Sequence, residues 1–95
     1  MKSQRIETKN NSHLDYTIYD DRIDLDMIFS NKKGDGSVLI EKLKSIACDL
    51  GLPIELYSEP QDNSISQEKL NNFYEKNGFD LHPDDTDNSY YTWGN

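Results

Sequence analysis

Lys32-Lys33-Gly34-Asp35-Gly36-Ser37 runs without interruption into a segment of helical spacing that begins at Val38. Two glycines one residue apart permit a turn and a closeness of backbone approach that side chains would block. The helix behind them aims its unpaired N–H groups back at the turn. An anion is what such a turn accepts: backbone donors from Gly34, Asp35, Gly36, Ser37 and Val38, the positive end of the helix dipole, and Lys32 and Lys33 at the entrance all favour a phosphate or pyrophosphate. Taken alone, an ordinary connection is the plainer reading, because short Gly-x-Gly turns before helices are common. The flanking pattern has to decide.

Downstream of the turn, Leu39, Leu43, Ile46, Ala47 and Leu50 recur at intervals of three or four, which predicts an amphipathic helix over 38–50 closed by Gly51. A strand over 52–57 follows after a very short link. Upstream, 13–19 and Ile23–Phe29 alternate with period two on either side of Asp20-Asp21, predicting a hairpin. In its second strand Ile23, Leu25 and Met27 fall on one face and Asp24, Asp26 and Ile28 on the other. The polar start of the chain offers at most a short edge strand around Ile6. After a loop over 58–64, Ser64 and Gln67 suit a capping box for a helix ending at Lys76, with Leu70, Phe73 and Tyr74 as its apolar stripe and Asn77-Gly78 as its stop. Strands over 79–81 and Tyr90–Trp93 flank a turn-rich 83–88. The order β, β, α, β, α, β, β, with room for one more strand at the start, predicts a single α/β domain over 1–95.

Composition narrows the class of partner. The chain has 95 residues, and its 18 Asp and Glu against 10 Lys and Arg give a formal net charge of -8. Such a chain repels nucleic acid and anionic membrane and attracts basic partners. The lone cysteine, Cys48, allows no internal disulfide and reads as buried filler on the helix flank, so a reducing, cytoplasmic setting is expected. No apolar run approaches the roughly 20 residues that cross a bilayer. His13 and His82 have no partner at ligand spacing, and no metal site is expected.

Gly34-Asp35-Gly36-Ser37-Val38-Leu39-Ile40, together with Phe73-Tyr74-Glu75-Lys76-Asn77-Gly78-Phe79, resembles the GCN5-related N-acetyltransferase (GNAT) family. An aromatic-Tyr-Glu-Lys-x-Gly-Phe run one strand after a Gly-x-Gly helix is the more specific of the two. Across the C-terminal half, Gly51-Leu52-Pro53-Ile54, Pro60-Gln61-Asp62, Leu70 and Trp93 are similar to the very small anti-CRISPR acetyltransferases that disable a type V CRISPR nuclease. The resemblance implies a minimal GNAT fold, a mixed and mostly antiparallel sheet flanked by two helices, with acetyl-CoA as cofactor and the acetyl group lying between two splayed strands. On these positions, backbone near Met27 and Ile28 would polarise the thioester carbonyl. Asn31 stands where the family usually has Arg or Gln before the turn, and Gln67 where an Asn usually meets the pantetheine arm. Tyr74 would be the general acid beside the thioester sulfur.

The remaining chemistry is read from the residues. A lysine acceptor has a pKa of about 10.4 and must lose a proton before attack. Asp26 and Glu55, on the two strands expected to splay, are the candidate bases, although a solvated strand residue is the plainer reading of each. Tyr74 has its own plainer reading as a core tyrosine. The sequence thus points to an acetyl-CoA-dependent N-acetyltransferase acting on an amine of a basic protein, with no direct contact to nucleic acid or membrane. Two alternatives stand beside it: a catalytically inactive CoA- or protein-binding scaffold, and an acidic decoy that blocks a nucleic-acid-binding protein. The acidic group Asp80, Asp84, Asp85 and Asp87 reads as a solvated loop, or as a rim attracting a lysine-rich substrate.

Overall fold

Apolar alternation along β2 (His13–Ile18) and β3 (Ile23–Phe29), with the polar β1 (Lys2–Glu7) paired at the edge, builds an antiparallel meander, and a computed structural model describes it along with the rest of residues 2–58, 66–82 and 90–94. There follow α1 (Asp35–Leu50), β4 (Ile54–Tyr57), α2 (Gln67–Lys76), β5 (Asp80–Leu81) and β6 (Tyr90–Trp93). The six strands form one mixed sheet in the order β1-β2-β3-β4-β6-β5, with β3 and β4 the parallel pair. The α/β class and the mostly antiparallel sheet are as expected. The first strand is longer than expected: it pairs with β2 from Lys2↔Ile18 to Glu7↔His13, since only Ile6 must be apolar on an edge strand.

Cross-strand pairs Leu14↔Ile28, Tyr16↔Leu25 and Ile18↔Ile23 place one apolar face toward the helices. α1 lays Leu39, Ile40, Leu43 and Ala47 on that face, where Leu14, Ile23 and Ile54 are also fully buried. α2 lies beside α1 on the same side: Lys44 Nζ donates to the Asn77 carbonyl oxygen at the end of α2, and Tyr91 Oη donates to Glu75 Oε2 at 2.6 Å. No helix covers the other face of the sheet among the described residues. No helix there is long and apolar enough to cross a membrane.

Five sequence expectations change. α1 starts at Asp35 rather than Val38, because Gly34 at φ 94° is the N-cap and Asp35, Gly36 and Ser37 form the first turn. Along α1, Ile40 is buried and Leu50 is exposed, since the stripe facing the sheet is centred on Leu39, Leu43 and Ala47; Cys48, one step past that stripe, is exposed and not buried filler. Ser66 caps α2, its hydroxyl accepting from the Lys69 N–H at 3.2 Å, so Gln67 is the first helical residue; Ser64, the expected cap, lies outside the described residues, as do Asp84, Asp85 and Asp87. The strands expected over 52–57 and 79–81 are shorter, at Ile54–Tyr57 and Asp80–Leu81.

The fifth change bears on function. Asp15 pairs with Met27 while Tyr16 pairs with Leu25, so Asp26 is an extra residue, a β-bulge. One inserted residue reverses the alternation beyond it. Ile28 therefore joins Ile23 and Leu25 on the helix side, packed against the core, and Met27 turns to the open face with Asp24 and Phe29.

Candidate active site

The bulge at Asp26 also ends the parallel pairing. β3 and β4 pair only through Ile23↔Ile54, Asp24↔Glu55 and Leu25↔Leu56. From Asp26 to Phe29, β3 keeps β2 on one side and has no β4 residue in register on the other. A bulged strand bends and twists more strongly than a regular one, which separates it from a short neighbour. The sheet is thereby split between β3 and β4, and the backbone polar groups of β3 near Met27 and Ile28 border the gap. Unpaired N–H groups of this kind require an acceptor from elsewhere.

Beside the gap stands the N-terminus of α1. Gly34 supplies no side-chain cap, the Asp35 N–H bonds the Lys32 carbonyl at 3.0 Å, and the Val38 N–H bonds the Gly34 carbonyl at 3.3 Å. The N–H groups of Gly36 and Ser37 fall in the first turn, where a helix offers no acceptor of its own. Lys32, Lys33, Ser37 and Val38 are exposed around it. The backbone donors and two ammonium groups fit a diphosphate in kind. Gly36 is fixed by a different constraint: a Cβ there would lie 2.9 Å from Cζ and 3.1 Å from Cε1 of Phe73, so its glycine lets α2 close on α1.

Asp35 and Asn31 are turned away from the donors, into the loop between β1 and β2. Asp35 Oδ2 accepts from Ser12 Oγ at 2.6 Å and Thr8 Oγ1 at 3.2 Å, and Oδ1 accepts from Asn10 Nδ2 at 3.3 Å. These bonds, that from Ser12 foremost, hold the Asp35 carboxyl below the usual carboxylate range. The Asn31 N–H donates to Ser12 Oγ at 2.7 Å, and Asn31 Nδ2 to the Asn10 carbonyl at 2.8 Å. Gln67 is similarly engaged: its Nε2 donates to the Ser58 carbonyl and to Asn71 Oδ1 at 2.8 Å, tying α2 to the end of β4.

Tyr74 is 3% exposed, wedged among Phe73, Phe79 and Tyr91 with ring centroids 5.3, 5.8 and 6.3 Å away. Burial pushes its hydroxyl up to about 12, so it remains protonated throughout the neutral range. Among the described residues that hydroxyl has no hydrogen-bond partner. It is a donor held on the helix side of the sheet.

The two candidate bases are on the opposite side. Asp26 and Glu55 together line a cleft of about 480 Å³ on the open face, with Asp24, Tyr57 and Tyr90. Asp26 Oδ2 accepts from Thr17 Oγ1 at 2.6 Å, and Glu55 accepts from the Tyr90 hydroxyl. The arrangement thus sets a buried hydroxyl and the N-terminus of α1 on one side of a split sheet, and carboxylates on the other. A reactant lying in the split could meet both. Sequence reasoning passed over Ser12, Thr17, Ser58 and Asn71, which hold these groups in place, since a buried serine and a solvated loop serine read alike.

Superposed on the crystal structure of anti-CRISPR protein AcrVA5, the chain gives a TM-score of 0.93 with 42% sequence identity, over 99% of this chain and 100% of that one. No protein-family profile and no curated protein matches it.

Proposed function

Since the chain belongs to the family of anti-CRISPR protein AcrVA5, we propose that it is itself an anti-CRISPR protein, and that it acts as a GNAT-type, acetyl-CoA-dependent N-acetyltransferase on a protein lysine. A lysine of a CRISPR nuclease that normally meets nucleic-acid phosphates is the acceptor this reading selects, because acetylation removes its charge. The observation that carries the reading is the split between β3 and β4 at Leu25 and Leu56, bordered by the α1 N-terminus and by carboxylates on the far face.

Acetyl-CoA would supply an acetyl group activated as a thioester. The first-turn N–H groups of Gly36 and Ser37, with Lys32 and Lys33, would hold its diphosphate. β3 backbone at Met27 and Ile28 would orient and polarise the carbonyl. The acceptor amine would come from the open face, where Asp26 or Glu55 takes its proton, directly or through water. Tyr74 acts as a donor toward the leaving sulfur. An ordinary thiol has a pKa of about 8.5, so complete transfer from a hydroxyl at about 12 is uphill by roughly 5 kcal/mol. Tyr74 would therefore keep its own proton and offer a hydrogen bond toward the leaving sulfur.

A second reading, an inactive scaffold that binds CoA or a protein, draws on Asn31 and Gln67, whose amides are engaged by Asn10 and Ser58. Thermal unfolding with acetyl-CoA separates the cofactor readings from a pure decoy. At a concentration about 100 times Kd the folded state gains roughly 2.7 kcal/mol, a rise on the order of ten degrees for so small a domain. Mass spectrometry of a purified type V nuclease after incubation then distinguishes enzyme from scaffold: a lysine 42 Da heavier is the expected product, by roughly the mass of an acetyl group replacing hydrogen. An unshifted midpoint at millimolar acetyl-CoA overturns the transferase.

A further inference from the structure

The far face of the sheet carries more than the two carboxylates used above. Tyr57 is 66% exposed, with its ring stacked on Tyr90 at 4.8 Å between centroids and 15° between planes. Tyr90 also stacks on His82, at 4.7 Å. Three rings thus form a shelf along the β4 and β6 side of the face. Met27 and Phe29 add exposed apolar surface on β3, Phe29 lying 5.5 Å from the His13 ring. Exposed aromatic and apolar groups gathered on a sheet face that no helix covers among the described residues are characteristic of an interaction surface.

Charge selects the occupant. The cleft between the shelf and β3 holds Asp21, Asp24, Asp26 and Glu55, with Arg22 as its cation. Arg22 is already paired, to Asp24 at 2.9 Å and Asp21 at 3.1 Å. Asp26 and Glu55 accept their hydrogen bonds from hydroxyls, and Arg22, committed to Asp24 and Asp21, reaches Glu55 only through its charge. A second copy of the chain laid face to face by a two-fold axis would set these carboxylates against their own equivalents, and nucleic acid would be repelled. A basic polypeptide satisfies every group: a guanidinium or ammonium lies favourably over an exposed tyrosine ring, a carboxylate pair receives a second cation, and methylene stems cover Met27 and Phe29.

We propose that this face docks a Lys- and Arg-rich segment of a partner protein, one basic side chain on the Tyr57 ring and another between Asp26 and Glu55. Where the transferase reading above holds, on which the identity of the second group rests, that group is the amine to be acetylated. Tyr57 is then a specificity determinant that places the acceptor and takes no part in proton transfer.

The test is fluorescence anisotropy with a short fluorescein-labelled peptide rich in Lys and Arg, and with the same peptide carrying Gln at those positions. Wild type, Tyr57→Ala and, as an exposed control on α1, Leu50→Ala are compared, each checked for folding by circular dichroism. The basic peptide should bind wild type and Leu50→Ala alike, Tyr57→Ala about tenfold more weakly, and all of them less at high salt. Equal binding of the basic and Gln peptides, or undiminished binding by folded Tyr57→Ala, overturns the docking surface. Thermal shifts with acetyl-CoA on the same proteins report the cofactor site separately. A retained shift with no peptide binding defeats only the docking proposal, and peptide binding with no shift defeats only the transferase reading.

Discussion

Ser12 Oγ lies 2.6 Å from Asp35 Oδ2 and accepts the Asn31 N–H at 2.7 Å, so one fully buried hydroxyl joins the β1–β2 loop to both ends of the glycine turn. Ser12→Ala removes a donor and an acceptor together. An unfolding free energy lower by about 1–3 kcal/mol is expected in urea titration, with weaker stabilisation by acetyl-CoA because the turn loses its support. An unchanged midpoint would show that the loop and the turn are held independently.

Asp35 gives this network a pH dependence. Its folded-state pKa is lowered, chiefly by Ser12, so its contribution is fully present above the unfolded value of about 3.9 and is lost as pH falls through the lower folded value. Thermal midpoints of wild type should therefore decline below about pH 4 more steeply than those of Asp35→Asn. Parallel curves would refute the assignment.

Tyr74 separates chemistry from packing. Tyr74→Phe keeps the ring among Phe79 and Tyr91 and removes a hydroxyl that has no partner among the described residues. Stability at neutral pH should hardly change, while acetyl transfer to a lysine acceptor should fall by about a hundredfold or more. Tyr74→Ala should cost about 3–5 kcal/mol. Because burial raises this hydroxyl from 10 to about 12, its titration leaves stability untouched below pH 10 and lowers it as pH rises toward 12, where the unfolded chain ionises first. Tyr74→Phe should lack that alkaline component in a pH series of unfolding midpoints.

Gly36 is the point where the two helices meet. Gly36→Ala drives a methyl against the tip of the Phe73 ring, 2.9 Å from Cζ, and should destabilise by about 1–3 kcal/mol. Phe73→Leu shortens the opposing side chain, so the double variant should be less destabilised than the sum of the two single changes. Additive losses in a denaturant-based double-mutant cycle would place the effect of Gly36→Ala elsewhere.

The strands, the helices and their order were legible in the sequence because each rests on a local signal: alternation in β2 and β3, the Leu39, Leu43 and Ala47 stripe, and Gly51 closing α1. The order of elements, with a helix between Ile23–Phe29 and the next strand, was enough to place a glycine turn at the edge of a mixed sheet. Tertiary structure alone decided the bulge at Asp26, since a single extra residue is defined only against the strand it faces. From that bulge follow the exchange of Met27 and Ile28 between faces, the end of pairing with β4, and the gap on which the proposed chemistry depends. The partners of Asn31, Asp35 and Gln67 were equally out of reach, because Ser12 and Ser58 become their acceptors or donors only when distant loops are brought together. Local periodicity determines which elements form, whereas the register of one strand against another, and hence which side chains share a face, is fixed by contacts between residues far apart in the chain.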